Sequence, residues 1–204
     1  HVKKVIISVI FCISWEIYAQ VALPTFQGTH VKIEDLDKWD TSNKGNYMVL
    51  SNGDRSATSS YSTPSHTWNS VYGTEGVSSG IKTWEVTVNT WYNSSGNSWE
   101  LIIGVAWSKA NINGATNSSC RAWVYISEHG KKNSTSGSCG SASNYGSTYG
   151  AGDVIKVELN MNNGQLRFYK NGTDQGVAFT VDTSKTWYLT SSIGNNGSSV
   201  TITG

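Results

Sequence analysis

The strongest constraint on this chain is a series of short segments in which every second residue is apolar. In Lys82–Val88, residues Trp84, Val86 and Val88 are apolar, while Thr83, Glu85 and Thr87 are polar. That period of two marks a strand with one face buried. Asp153–Met161 repeats the pattern with Ile155, Val157, Leu159 and Met161 inward, and Gln165–Tyr169 repeats it with Leu166 and Phe168 inward. Ser199–Thr203 turns Val200 and Ile202 to the core. Leu101–Trp107 is apolar on both faces, which predicts a central strand covered on each side.

Turn signals separate these segments. Asn-Gly occurs at 52–53, 113–114, 163–164, 171–172 and 196–197. A type I′ turn needs positive φ at both central positions, which Asn tolerates and Gly adopts freely. Asn163-Gly164 lies between two alternating segments, so residues 153–169 are expected to form a hairpin. No stretch keeps a helical period, apart from one short helix expected between Val31 and Trp39. Composition agrees: charged residues are 14% and aromatics 11%, with nine Trp and ten Tyr among abundant Gly, Ser, Thr and Asn. Fifteen basic residues face fourteen acidic ones with no long basic run, which leaves no footprint for nucleic acid.

The first residues are different in kind. Lys3 and Lys4 precede the apolar run Val5–Trp15, and Tyr18-Ala19-Gln20-Val21-Ala22 follows. This reads as a secretory signal peptide over residues 1–22, cleaved near 19–22. The run falls short of the roughly 20 apolar residues that span a bilayer, so no stable membrane insertion is expected after its removal. Residues 23–204 then form a single domain, secreted or held at the cell surface. Cys12 leaves with the signal. Cys120 and Cys139 are expected to pair, closing a loop of about 20 residues for roughly 3 kcal/mol. Their spacing contains no CxxC and argues against zinc.

At this point the order of motifs resembles the SPRY family. Trp68–Gly80 running into Trp84-Glu-Val-Thr-Val88 is similar to its Gly-bounded turn and "WEV" strand. Trp99–Ala106 resembles its "IGVA" strand, and Tyr149-Gly-Ala-Gly-Asp-Val-Ile155 its "YGxGDVI" element. Leu159–Gly172 followed by Gly176-Val-Ala-Phe179 resembles its hairpin. The likeness spans residues 39–203. It implies an all-β fold, a bent antiparallel sandwich of two sheets akin to the concanavalin A-like jelly roll. It also implies a protein-interaction module that reads short segments with rim loops. Asn160 departs from the family's usual aspartate, and the Ser/Asn/Gly-rich stretch from Ala110 to Gly150 is long.

Catalytic readings fare poorly. Gly76–Gly80 spells G-x-S-x-G around Ser78, but that elbow needs a strand before it and a helix after it, and here a strand follows. A glycosidase needs two carboxylates held roughly 5 to 10 Å apart, which strand positions two apart would supply, and no strand carries an E-x-D-x-E spacing. Glu34, Asp35, Asp37 and Asp40 lack the Gly and distal Glu of a calcium loop and read as a solvated face. His30, His66 and His129 show no ligand spacing, so neither metal nor cofactor is expected. Trp84, Trp99 and Trp123 read as core. The rim candidates are Arg55, Tyr61, His66, Trp68, Trp91, Tyr92, Trp107 and Tyr145, because loops on a rigid sandwich carry binding and aromatic or Arg side chains dominate interface energy. Protein or peptide is the expected ligand, with lectin-like glycan binding as the alternative. Sequons at Asn93, Asn117, Asn133, Asn171 and Asn196 discriminate nothing without a known host. Thiol titration of the exported chain should find Cys120 and Cys139 unreactive until a reductant is added; two freely reactive thiols would exclude the bridge.

Overall fold

A computed structural model describes residues 37–61, 67–92, 101–110, 113, 115, 121–134 and 141–204. Cys12, Cys120, Cys139, His30, His66, Trp99 and the signal segment lie outside these residues. Among them, strands build two seven-stranded antiparallel sheets. The first runs β1 (Trp39–Lys44), β4 (Asn69–Val77), β13 (Trp187–Ile193), β6 (Leu101–Ala106), β7 (Ala122–Ile126), β8 (Lys131–Ser134) and β9 (Ser143–Asn144). The second runs β12 (Thr173–Thr180), β11 (Gln165–Lys170), β10 (Val154–Asn160), β5 (Ile81–Thr90), β14 (Ser199–Ile202), β3 (Ser56–Ser59) and β2 (Met48–Ser51). Among the described residues no helix is long and apolar enough to cross a membrane.

The alternating residues meet in one core. Trp84, Val86, Val88, Ile155, Val157, Leu159, Leu166, Phe168, Val200 and Ile202 are buried with Leu101, Ile103, Val105, Trp187 and Leu189 from the facing sheet. Trp123 and Trp187 pack edge to face at 4.7 Å, a geometry their ring quadrupoles favour. β6 is central and covered on both faces, as its composition requires. Its outward Ile102 and Ala106 join Tyr72, Ala122, Val124 and Ile126 in a second cluster, packed over by Trp68, Ala115 and Ala142. Gly104 has no room for a side chain, since a Cβ would sit 2.1 Å from the Trp123 carbonyl oxygen.

The turns divide. Asn171 (φ 48°) and Gly172 (φ 78°) both take left-handed conformations between Lys170 and its partner Thr173, a two-residue I′ turn. The hairpin of β10 and β11 forms, but not by that turn: Asn160 opposes Gln165, leaving four loop residues of which only Gly164 has positive φ. Asn160 Oδ1 accepts the Asn162 and Asn163 amides and makes a local Asx turn there. Gly76–Gly80 is the tight crossing from β4 in one sheet to β5 in the other, with Gly80 at φ 74°. Of the helix expected between Val31 and Trp39, residues 31–36 lie outside the described residues. Asp37 and Lys38 are irregular and Trp39 opens β1, because its indole is buried in the core.

Asp37 corrects a second expectation. It does not belong to a solvated acidic face; it is buried. Its Oδ1 accepts from the amides of Lys38 (2.8 Å), Thr74 (3.0 Å) and Glu75 (3.0 Å) and from the Thr74 hydroxyl (2.7 Å). Its Oδ2 accepts from the Trp84 indole at 3.1 Å. Thr74 and Glu75 lie on β4 and Trp84 on β5, so one carboxylate binds the two layers together. Gly73 makes the space, for a Cβ there would lie 2.5 Å from Oδ2. Asp40, by contrast, is a surface group. Partial burial opposes its ionisation, but Lys109 (2.6 Å), the Ser42 amide and the Asn43 side chain outweigh that and hold its carboxyl below the ordinary value. Asp37 and Asp40 therefore serve separate networks.

Side chains also close one open seam. Tyr145 donates to the Gly176 carbonyl (2.6 Å), and Lys132 donates to that of Ala178 (2.5 Å). Both acceptors belong to the edge strand β12, whose free carbonyls would otherwise invite another strand. Replacing Asp37 with Ala should lower the unfolding free energy by about 2–4 kcal/mol, since several buried donors lose a charged acceptor at once. Urea denaturation measures it, and a loss under about 0.5 kcal/mol, the size of an ordinary surface change, would contradict the assignment.

Candidate functional site

Strand register sorts the predicted contacts between two rims. β5 ends at Thr90, β11 at Lys170, β7 at Ile126 and β9 at Asn144, while β10 begins at Val154; the pairings Val154↔Thr87, Ile155↔Lys170 and Lys131↔Asn144 gather these ends on one rim. Tyr61, Trp68, Trp91, Tyr92 and Tyr145 are all carried there. Arg55 and Trp107 are not. Arg55 accepts the Ile202 amide on its carbonyl at the far end of β14, and Trp107 follows β6 at the same far end. The Arg121 guanidinium and the Lys185 ammonium each lie 5.4 Å from its ring centroid. His66 lies outside the described residues.

The five on the shared rim do different things. Tyr92 is 55% exposed and Tyr47 44%. Tyr47 and Tyr61 pack edge to face at 4.6 Å. Between these groups runs the loop after β13. Gly197 donates to the Ser59 carbonyl (2.7 Å) and lies close beneath Tyr92, whose Cε2 would be 3.0 Å from a Cβ. The Tyr92 backbone is fixed by the Ser198 hydroxyl and by the Asn195 side chain. Its ring is thus presented on a held backbone. Trp68 is half-buried against the outer cluster. Tyr145 is chiefly structural: its hydroxyl bonds Gly176 and accepts the Phe168 amide, and burial pushes the phenol up to about 12.

Trp91 forms a wall of a cleft of about 260 Å³, lined also by Glu128, Thr148, Tyr149, Gly150, Asp153 and Lys170. Each comes from a different constraint. Tyr149 is held by its hydroxyl donating to the Tyr125 carbonyl at 2.8 Å, and burial keeps that phenol well above its ordinary pKa. Gly150 lets the indole approach, since a Cβ would meet Trp91 Cε3 at 3.1 Å. Asp153 accepts from the Gly150 amide (2.9 Å) and the Asn171 side chain (2.7 Å) and pairs with Lys170 at 3.2 Å. Lys170 also donates to the Thr148 carbonyl at 2.7 Å. Burial opposes the charge on Asp153, but these donors overcome it and hold the carboxyl below its ordinary value of 3.8. The Trp91 indole nitrogen is buried and has no acceptor among the described residues.

Sequence reasoning placed Trp91 here but missed Glu128, Asp153 and Lys170. The Tyr149–Ile155 motif held part of the signal, because three cleft residues fall within it. The glycosidase pairing gains nothing. Glu85, the one acidic residue of β5, faces Lys156 across the ladder with Glu158 diagonal to it, and the Tyr169 hydroxyl donates to Glu158. That face of the sheet is exposed or half-exposed at Glu85, Lys156 and Glu158.

With this geometry in place, comparison with known proteins is informative. The SPRY domain family model matches residues 81–204, more than half of the chain. The chain belongs to the SPRY family. SPRY domains are generally protein-interaction modules. Among solved structures, the SPRY domain of human HERC1 is similar at a TM-score of 0.62 and 24% identity, over 80% of this chain and 96% of that one. The TRIM65 PSpry domain follows at 0.61 and 14%, over 83% and 92%. Stonustoxin matches at 0.60 and 17%, over 82% of this chain and 27% of its own. These likenesses establish the fold. No curated protein matches the chain.

A depressed carboxyl stabilises the fold above its unfolded pKa and loses that contribution as pH falls through the folded one. The stability difference between the native chain and Asp153→Asn should therefore be present at neutral pH and shrink progressively below about pH 4. Urea titrations across that range measure it; a difference independent of pH would show that Asp153 is not held as described.

Proposed function

We propose that this SPRY domain is a secreted, non-catalytic module that docks a protein or peptide segment along the rim bearing Trp91 and Tyr92. The observation that carries the reading is the pair of exposed rings, Tyr47 and Tyr92, on the rim that bears the Trp91 cleft. Exposed rigid aromatics next to a concavity are the usual anchors of an interface, and the family supplies the general role. Export is supported by the basic and apolar start of the chain and by Cys120 and Cys139.

A displayed peptide library panned against the whole chain tests this. Selected peptides should lose about tenfold or more in affinity with Tyr92→Ala or Trp91→Ala, as hot-spot truncations do. Arg55→Ala, on the opposite rim, should leave affinity unchanged. Peptides insensitive to both rim variants, or glycan-array binding abolished by Trp91→Ala in place of peptide binding, would overturn the reading.

A further inference from the structure

We infer that the rim opposite Trp91 carries a second binding site, where Arg121 and Lys185 take a phosphate group beside the Trp107 ring. None of its residues belongs to the Trp91 rim, so it stands apart from the peptide reading. Backbone bonds set the three side chains in place. Trp107 follows β6 and Arg121 precedes β7; the Trp107 amide donates to the Arg121 carbonyl at 3.0 Å, one rung beyond the Ala106↔Ala122 pair. Lys185 comes from the turn between β12 and β13. Its amide donates to the Asp182 carbonyl (3.3 Å), and the Trp187 indole donates to the same oxygen (2.9 Å). The Trp107 ring packs against the main core, while Arg121 and Lys185 are exposed.

Charge selects the ligand. Lys109, two residues beyond Trp107, meets the Asp40 carboxylate at 2.6 Å. Arg121 and Lys185 meet no carboxylate at ion-pair distance among the described residues, and each instead lies 5.4 Å from the Trp107 centroid. Residues 101–127 contain no Asp or Glu, so this whole stretch brings Arg121 no acid. Asp182 reaches Lys185 only through its field. The Ser184 hydroxyl (2.7 Å) and amide (2.9 Å) hold that carboxyl below its ordinary value, and Lys185 adds a smaller push. Two cations gathered at one ring repel each other. An anion relieves that repulsion; a cation or an apolar group does not.

Geometry then favours phosphate over carboxylate. A guanidinium that meets an aromatic ring still presents in-plane N–H donors at its edge. Arg121 spends one of them on Ser108 Oγ at 3.2 Å, and the others have no acceptor among the described residues. A carboxylate would place both its oxygens on that fork and leave the ammonium unmet. A phosphate monoester brings nearly two charges and three acceptor oxygens, enough for the fork and Lys185 together.

The test follows the Trp107 indole N–H and the Arg121 Nε–H of the full chain by NMR, as sodium phosphate replaces sodium chloride at constant ionic strength. Saturable shifts confined to Trp107, Ser108, Arg121 and residues 182–185 are expected, with sodium acetate about tenfold weaker. Phenyl phosphate separates two sources of the group: tighter binding than inorganic phosphate shows that the site reads an ester, and equal binding that it reads the free ion. Arg121→Lys, which keeps the charge and loses the fork, should weaken phosphate binding about tenfold. Lys185→Gln should weaken it by a smaller factor. Trp91→Ala and Tyr92→Ala should leave it unchanged, which tells loss at one rim from loss at the other. Shifts that never saturate, acetate equal to phosphate, or an undiminished response in Arg121→Lys would overturn this inference.

Discussion

Trp84 joins the two halves of this molecule in two ways. Its ring enters the core shared by both sheets, and its indole N–H reaches the buried Asp37 carboxylate that also gathers the amides of Thr74 and Glu75. Apolar burial drives the layers together without fixing their offset, because it has no direction. Hydrogen bonds to one charged acceptor do have direction. The alternation along β5 can register against β10 and β14 only if Trp84 points inward, and Asp37 ties that inward residue to the opposite sheet.

A rigid core makes a useful rim. Strand ends do not choose their neighbours; the register brings the end of β5, the start of β10 and the end of β11 together. Residues 149–153 span the gap, fastened by the Tyr149 hydroxyl at one side and by the Gly152 amide, which donates to the Val88 carbonyl, at the other. The cleft beneath Trp91 is thus walled by groups whose positions are set by the fold before any ligand arrives. Such preorganisation lowers the ordering cost of binding.

Much of this was legible in the sequence, and the failures have identifiable causes. Period-two patterning located the inward residues from Trp84 to Ile202 because burial enforces alternation on every half-buried strand. Asn171-Gly172 behaved as a hairpin turn because its strands pair immediately on both sides. Asn163-Gly164 did not, because Asn160 offers its own side chain to the loop and lengthens it to four residues. Asp37 looked like surface charge, since a run of acidic residues gives no hint that one of them will be enclosed by β4 and Trp84. Arg55 and Trp107 were grouped with Trp91 because loop position alone does not reveal which end of a strand a loop leaves from. Glu128, Asp153 and Lys170 are far apart in sequence and share no pattern. Only pairing between strands brings them to one place.

The central claim is that function resides on the rim of Trp91 and Tyr92. Amide hydrogen exchange of the full chain, with and without a peptide selected against it, tests this most directly. The account predicts slowed exchange confined to residues 47, 60–61, 91–92, 148–153 and 195–198, with the 52–55 loop and the residues following Trp107 unchanged. Slowing centred on Arg55, Trp107 and Arg121 would put the ligand on the opposite rim and contradict it.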